Sequence, residues 1–412
     1  MRAVVARLPN VHRTVLLGEL TVGSRYEPQR LNGISHFLEH MIYRGTPTHP
    51  TAHKQALAFE SLGGTLVAAT AVDTGTMAIG VPPENLSRVI PLFREVYAEP
   101  VFNGIEVERG IVREEILEGV DDAGLNIDCD NLIRELVFHG HPLGMPITGT
   151  LEHLDRYDES SLKAHHDAFY VGCNTVLTVA GPVDPERVLA QLETEFSSVA
   201  SGSEPVVSAP GNPPESQFRY VAHRASQTMI RLGFRAPSWH DPQDPAMEVL
   251  MRVLDDGMST RLYRHICDER GLCYDVSGHY ETYADSGLVE LAAEAAHDRA
   301  IDVVTELIRV VSELREHGPT SDELDRVRTR HRWQMDQMLD DAESVAEFFA
   351  SEAQMGRLRE PLERHDEVAA VTADAVRESA ARVFRGSVAS LVAVGKLDAG
   401  SRDSLSRLVA RL

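Results

Sequence analysis

The chain has 412 residues, of which 43% are hydrophobic and 25% charged. That is room for two or three domains at roughly 150 residues each, and it excludes wholesale disorder. Lys and Arg total 40 against 63 Asp and Glu, a formal charge of −23, which argues against a nucleic-acid partner, because phosphate binding needs a positive field. The four cysteines, Cys129, Cys173, Cys267 and Cys273, form no C-x-x-C pair, so neither a disulfide framework nor a cysteine zinc site is expected. No run approaches the roughly 18 apolar residues of a membrane span, and Met1–Arg7 lacks the apolar core of a leader. The expected location is the cytoplasm.

In chain order, Arg13–Leu17 reads as a strand, followed by helical stretches at 32–43 and 52–62. Gly63-Gly64 stops the second of these and leads into a strand at 65–70. Helices are expected at 84–97, 105–120 and 129–138, and the apolar run Thr175–Ala180 reads as a strand closed by Gly181-Pro182. The stretch from Ser197 to Gln217 is loaded with Ser, Gly and Pro, which predicts a linker near the chain midpoint. Three segments result: 1–200, a linker at 201–216, and 217–412.

The segment 217–412 repeats the order of the first. A strand is expected at 228–234, helices at 244–254 and 259–268, and strands near 273–279 and 287–294. Long helices at 297–316 and 320–339 follow, the second amphipathic around Val327 and Trp333, and the apolar strand 389–394 ends the unit. Two copies of one α+β unit is the economical reading, a repeat of topology without strong residue identity.

Inside the first helical stretch stands His36-Phe37-Leu38-Glu39-His40. Positions i and i+4 share a helix face, so His36 and His40 can hold one metal ion, and Glu39 lies close enough to reach a water there. This H-x-x-E-H order is the inverted zinc-peptidase signature. A catalytic zinc needs a third protein ligand and one open position. Glu108–Glu115 supplies the candidates: Glu108 and Glu115 lie two helical turns apart on one face, and Glu114 points about 100° away from Glu115. Periodicity leaves open which of them reaches the metal.

Val22–Arg25, Gly33–Met41 and Arg44-Gly45-Thr46 resemble the N-terminal core of the pitrilysin/insulysin-type zinc peptidases. Glu60–Gly64, Glu108–Glu115, His141–Gly144, Met258–Tyr263 and Gly271–Tyr274 extend the likeness over nearly the whole chain, nearest the branch of mitochondrial processing peptidases and their bacterial relatives. The resemblance implies two homologous α/β sandwich halves, each a mostly antiparallel sheet packed with helices, together forming half of a clamshell. It implies one Zn²⁺ per chain, held by His36, His40 and Glu115, with Glu39 as general base and Glu108 orienting a ligand histidine. It implies a peptide substrate lying as an added strand on an edge where the family usually has Asn-Ala and this chain has Val67-Ala68. The family's Arg/Tyr pair, seven residues apart, maps onto Cys267 and Tyr274.

The expected function is therefore a zinc metalloendopeptidase acting on peptides or unfolded segments inside a chamber. The alternative is a non-catalytic or peptide-binding scaffold subunit. The missing arginine predicts a heterodimer with a related subunit that supplies the Arg/Tyr pair, as against a homodimer; neither nucleic acid nor membrane is an expected partner. The His139/His141 pair, His165-His166 and Cys267 read as structural residues rather than as a second metal site or a nucleophile.

Overall fold

The computed structural model describes residues 1–412. It resolves into two compact units, the first made of residues 1–117, 145–207 and 334–360, the second of 118–144, 208–333 and 361–412.

The sheet of the first unit contains β1 (Arg2–Arg7), β2 (Thr14–Leu20), β3 (Val67–Thr70), β4 (Gly75–Val81) and β5 (Thr175–Gly181) in the order β1-β5-β2-β4-β3. Only β1 and β5 run parallel. The second unit repeats this with β6 (Gln217–Ala222), β7 (Thr228–Ala236), β8 (Val276–Thr282), β9 (Gly287–Ala295) and β10 (Ser390–Gly395), in the order β6-β10-β7-β9-β8. Again only β6 and β10 are parallel. Each unit is thus the mixed, mostly antiparallel sheet packed with helices that the sequence predicts.

Sheet faces follow from residue alternation. Leu16 and Leu20 of β2 join Met77, Ile79, Leu177 and Val179 against Val89, Ile90 and Phe93 of the Leu86–Ala98 helix. Val15 and Leu17 point the other way, with Ala180, and meet Ala342, Val345, Ala346 and Phe349 of a helix at Ala342–Gln354. That helix comes from beyond the linker, yet it belongs to the first unit. The Cys129–Val137 helix is exchanged in the opposite sense and packs in the second unit beneath β7. There Arg231 pairs with Asp130 at 2.7 Å, Arg134 with Glu281 at 2.8 Å, and the Arg235 guanidinium lies 4.3 Å over the Phe138 ring. Division at the linker therefore sorts the strands correctly but not these two helices. Amphipathic spacing marks the apolar face of a helix, not which sheet covers it.

Four expectations shift in detail. β1, β4 and β6 were not foreseen, β6 because it lies at the end of the Ser/Gly/Pro-rich stretch. The helix expected at 259–268 is a π-helical segment at Tyr263–Asp268, and the strand expected from 273 starts at Val276, leaving Cys273 and Tyr274 in a loop. On the Ser321–Met338 helix the buried positions are Leu324, Val327, His331 and Met335, whereas Trp333 is 65% exposed. The residue that turns inward on that face is a histidine, stacked on His365 with the Nδ1 atoms 3.1 Å apart.

Glu19 of β2 is buried beneath Ser351. Burial pushes its carboxyl up to about 7; Asp73 and Glu347 add to this, while the Ser351 hydroxyl and Arg2 oppose it. Folded Glu19 keeps its proton to about pH 7, whereas the unfolded carboxyl releases it near 4.5. The folded chain binds more protons in between, so stability falls as the pH rises through that window. Glu19→Gln is expected to remove this loss and to gain on wild type by on the order of 3 kcal/mol between about pH 5 and pH 8. Urea denaturation at both pH values measures it; a difference that does not change with pH would mean that Glu19 ionises freely.

Candidate active site

The His36/His40 motif lies on the Ile34–Ile42 helix. One face of that helix, Ile34, Phe37, Leu38 and Met41, carries the i, i+3, i+4, i+7 spacing of an amphipathic helix. It packs on Val112 and Ile116 of the Ile105–Glu118 helix and on Leu162 of the Glu159–Phe169 helix. This turns His36 and His40 to the opposite side.

A buried carboxylate holds the start of the helix. Glu27 Oε2 accepts from the Gly33 N–H at 2.6 Å and from the Asn32 amide at 2.9 Å, and Oε1 accepts from the Ser35 N–H at 2.7 Å. The two backbone N–H groups are donors that a helix N-terminus otherwise leaves unpaired. Burial pushes the Glu27 carboxyl up, against the pull of these hydrogen bonds. Gly33 has φ +94, and a Cβ there would lie 2.6 Å from the Thr148 carbonyl oxygen, so glycine is required. One turn on, the Ser35 hydroxyl meets His165 Nε2 at 2.9 Å. Burial holds that imidazole down at about 3, hence neutral.

His36, His40 and Glu115 each offer a ligand atom, and these lie within 4.8 Å of one another. His36 Nε2 is 3.3 Å from Glu115 Oε1, and His40 Nε2 is 3.5 Å from Oε2. Bonds of about 2.0–2.1 Å to a tetrahedral zinc would set ligand atoms about 3.4 Å apart, so the donor set fits that ion in type and spacing. Of the glutamates left open by periodicity, it is the Glu115 carboxylate that faces both imidazoles. A hydrogen bond with His36, then the His36 and His40 charges, holds the Glu115 carboxyl below its ordinary range against the effect of burial. Glu108, buried on the same helix face, approaches His40 Nδ1 at 3.3 Å and accepts from Arg44 at 3.1 Å. Burial opposes charge on His40, but Glu108, Glu115 and Glu39 together raise its pKa.

The Glu39 carboxylate accepts a hydrogen bond from the Thr70 hydroxyl at 2.7 Å. Thr70 ends β3, the terminal strand of its sheet, and shares the inner face with Ala68, while Val67 is 57% exposed. Tyr43 is hydrogen-bonded to the Ala68 backbone; burial and then the Glu39 charge push its hydroxyl up to about 12. Tyr274 belongs to the second unit and is 92% exposed. Of the residues singled out in the sequence, the first unit thus gathers His36, His40, Glu39, Glu108 and Glu115, with Val67 and Ala68 on the adjoining edge strand. Tyr274 is not among them.

Glu27, Thr70, Tyr43 and His165 were not foreseen as site residues. Glu27 lies six positions before Gly33, outside the span of an ordinary helix cap, and Thr70 reaches Glu39 only through the fold. A period-2 reading of β3 puts Ala68 and Thr70 on one face, which is the one signal that pointed to Thr70.

Residues 11–151 match the family model described as insulinase, peptidase family M16, and residues 157–330 match the one described as the peptidase M16 inactive domain. A Mycobacterium tuberculosis protein named as an uncharacterized zinc protease is 30% identical over 78% of this chain and 74% of its own length. The chain belongs to the M16 peptidase family. A Rickettsia bellii protein with the same description is 28% identical over 93% of both chains. Among solved structures, a protease from Helicobacter pylori superposes with a TM-score of 0.86 at 19% identity over 96% of both chains. A chain of complex III2 from Candida albicans gives 0.79 at 15% identity, over 98% of this chain and 97% of its own. The M16 fold therefore occurs outside proteins named as proteases, and the fold alone does not decide catalysis. No helix of this M16 chain is long and apolar enough to cross a membrane.

Replacing Glu27 by Gln leaves one oxygen to accept and turns an NH2 group onto a backbone N–H. The expected cost is about 2 kcal/mol, read as a lower denaturation midpoint. An unchanged midpoint would mean that the buried carboxylate does not hold the helix start.

Proposed function

We propose that this chain is a zinc metalloendopeptidase that hydrolyses peptides or unfolded segments as a catalytic subunit. The observation that carries the proposal is the convergence of both imidazole Nε2 atoms on the Glu115 carboxylate, with Glu39 seated between His36 and His40 in the chain. His36, His40 and Glu115 would hold the ion, one per chain. Zinc in such a site polarises a peptide carbonyl and lowers the pKa of water towards 7.

The remaining steps belong to residues of the chain. Glu108 fixes the imidazole of His40 through Nδ1, so that Nε2 is presented to the ion. Glu39 takes a proton from the attacking water and returns it to the leaving amine, and the Thr70 hydroxyl orients its carboxylate. An extended peptide adds to the free edge of β3 through backbone hydrogen bonds, with Val67 and Ala68 beneath it. Val67 contributes shape rather than a side-chain hydrogen bond. A cytoplasmic location, inferred from the sparse cysteines, is part of the same proposal.

Glu39→Gln keeps size and leaves the ligand set intact. Zinc content, measured by metal analysis, should stay near one per chain while peptide turnover falls by at least about 10²-fold. Turnover that survives would mean that a group other than Glu39 activates the water. Glu115→Gln should lower zinc content where Glu114→Gln does not; the reverse pattern would move the third ligand.

Division of labour between two chains follows from the second unit. Tyr274 stands without its arginine, because Cys267 occupies that position and supplies neither a fixed charge nor forked donors. Nearby Arg264 and Arg270 are engaged by Glu269 and Glu306. We therefore propose a heterodimer with a related subunit that retains the Arg/Tyr pair. The isolated chain should be weakly active and rise by about 10²-fold on adding that subunit, the scale of one lost oxyanion donor. Full activity from a homodimer would end this part of the proposal.

A further inference from the structure

The two cysteines that precede Tyr274 lie within contact distance. Cys267 Sγ and Cys273 Sγ are 3.7 Å apart, and both side chains are part-buried. The segment between them folds back on itself. Cys267 sits in the π-helical segment Tyr263–Asp268, the Gly271 N–H donates to the Cys267 carbonyl at 3.0 Å, and the Leu272 N–H donates to the Ile266 carbonyl at 3.0 Å. Gly271 has φ +57, a left-handed turn that brings Cys273 back over Cys267. Ile266 and Leu272 are buried in the unit's core and anchor both sides of this turn. Tyr274 follows at once and is 92% exposed.

We propose that Cys267 and Cys273 are a redox modification site, a dithiol that closes to a disulfide by exchange with a small-molecule disulfide and so constrains the segment presenting Tyr274. The inference concerns the thiols themselves and does not depend on the metal site or on peptidase activity. A disulfide bond of about 2.05 Å requires the sulfurs to approach by about 1.7 Å, which side-chain rotation in a loop this tight can supply.

The exchange balances in two steps. One thiolate attacks a sulfur of oxidised glutathione, breaking its S–S bond, forming a mixed disulfide and releasing one glutathione thiolate. The second cysteine thiolate attacks the mixed disulfide at the protein sulfur and releases the second glutathione. Two electrons pass from the cysteines to glutathione disulfide, and the two thiol protons end on the two glutathione thiols. Burial pushes both thiols up, Cys273 to about 12, with Asp275 adding to the rise in each. The exchange is accordingly slow at neutral pH and quickens in alkali. Of the other two cysteines, Cys129 is buried and Cys173 belongs to the first unit.

The test incubates the full chain with oxidised glutathione at mildly alkaline pH, blocks remaining thiols, and maps tryptic peptides without reduction. The expected product joins His265–Arg270 to Gly271–Arg299, with an intact mass lower by two hydrogens, and dithiothreitol reverses it. Cys267→Ser should yield a glutathione adduct on Cys273 and no cross-link. Hydrogen exchange over Gly271–Tyr274 should slow in the oxidised chain. Glutathione adducts left on both cysteines of the wild type, thiols that stay unmodified, or a cross-link to Cys129 or Cys173 would each overturn the proposal. So would a correct cross-link that leaves exchange in the segment unchanged.

Discussion

The geometry of the first unit depends on how His40 is held. Glu108 and Glu115 stand two turns apart on one helix and address the two nitrogens of a single imidazole, Nδ1 and Nε2. Neither contact survives a rotation of either helix. The Ile34–Ile42 helix is therefore fixed twice, by the apolar stripe against Val112 and Ile116 and by Glu27 at its start. Three carboxylates, Glu39, Glu108 and Glu115, act on His40, and Arg44 is paired with Glu108. A divalent ion is the species that the donor set would take.

β3 ties this centre to the sheet. Thr70 bonds Glu39 while Ala68 of the same strand meets Tyr43, the residue that follows the metal-motif helix. A peptide added to that edge would thus lie on a strand already hydrogen-bonded to the carboxylate proposed as the base. On the proposed function, substrate positioning and orientation of the base would be one structural feature, because a shift of the strand would move both.

The two sheets have the same strand order, each with one parallel pair, and the helices exchanged between the halves both pack through apolar residues, one of them with ion pairs in addition. Ala342–Gln354 meets its sheet through Ala, Val and Phe side chains. Cys129–Val137 adds ion pairs to its apolar contacts, Asp130 with Arg231 of β7 and Arg134 with Glu281 of β8, and Arg235 of β7 lies over the Phe138 ring at its end. Ion pairs fix register where apolar contact is permissive. Gly233 of β7 allows the close approach, since a Cβ there would lie 2.6 Å from Ile133 Cγ1.

The H-x-x-E-H spacing was enough to place His36 and His40 on one helix face, since a period of 3.6 residues determines that without any tertiary contact. Short apolar stretches located β2, β5, β7, β9 and β10, and the Ser/Gly/Pro-rich stretch marked where one sheet ends and the next begins. What local periodicity does not contain is which surfaces meet. The choice of Glu115 over Glu114 in space, the reach of Thr70 to Glu39, the Glu27 clamp and the exchange of two helices all join residues far apart in the chain or outside any helical or strand period. Cys267 and Cys273, six residues apart, became a pair only when the turn at Gly271 closed. Residue spacing determined the motif and the faces; tertiary packing decided the partners, because contact depends on how faces are stacked and not on how they repeat.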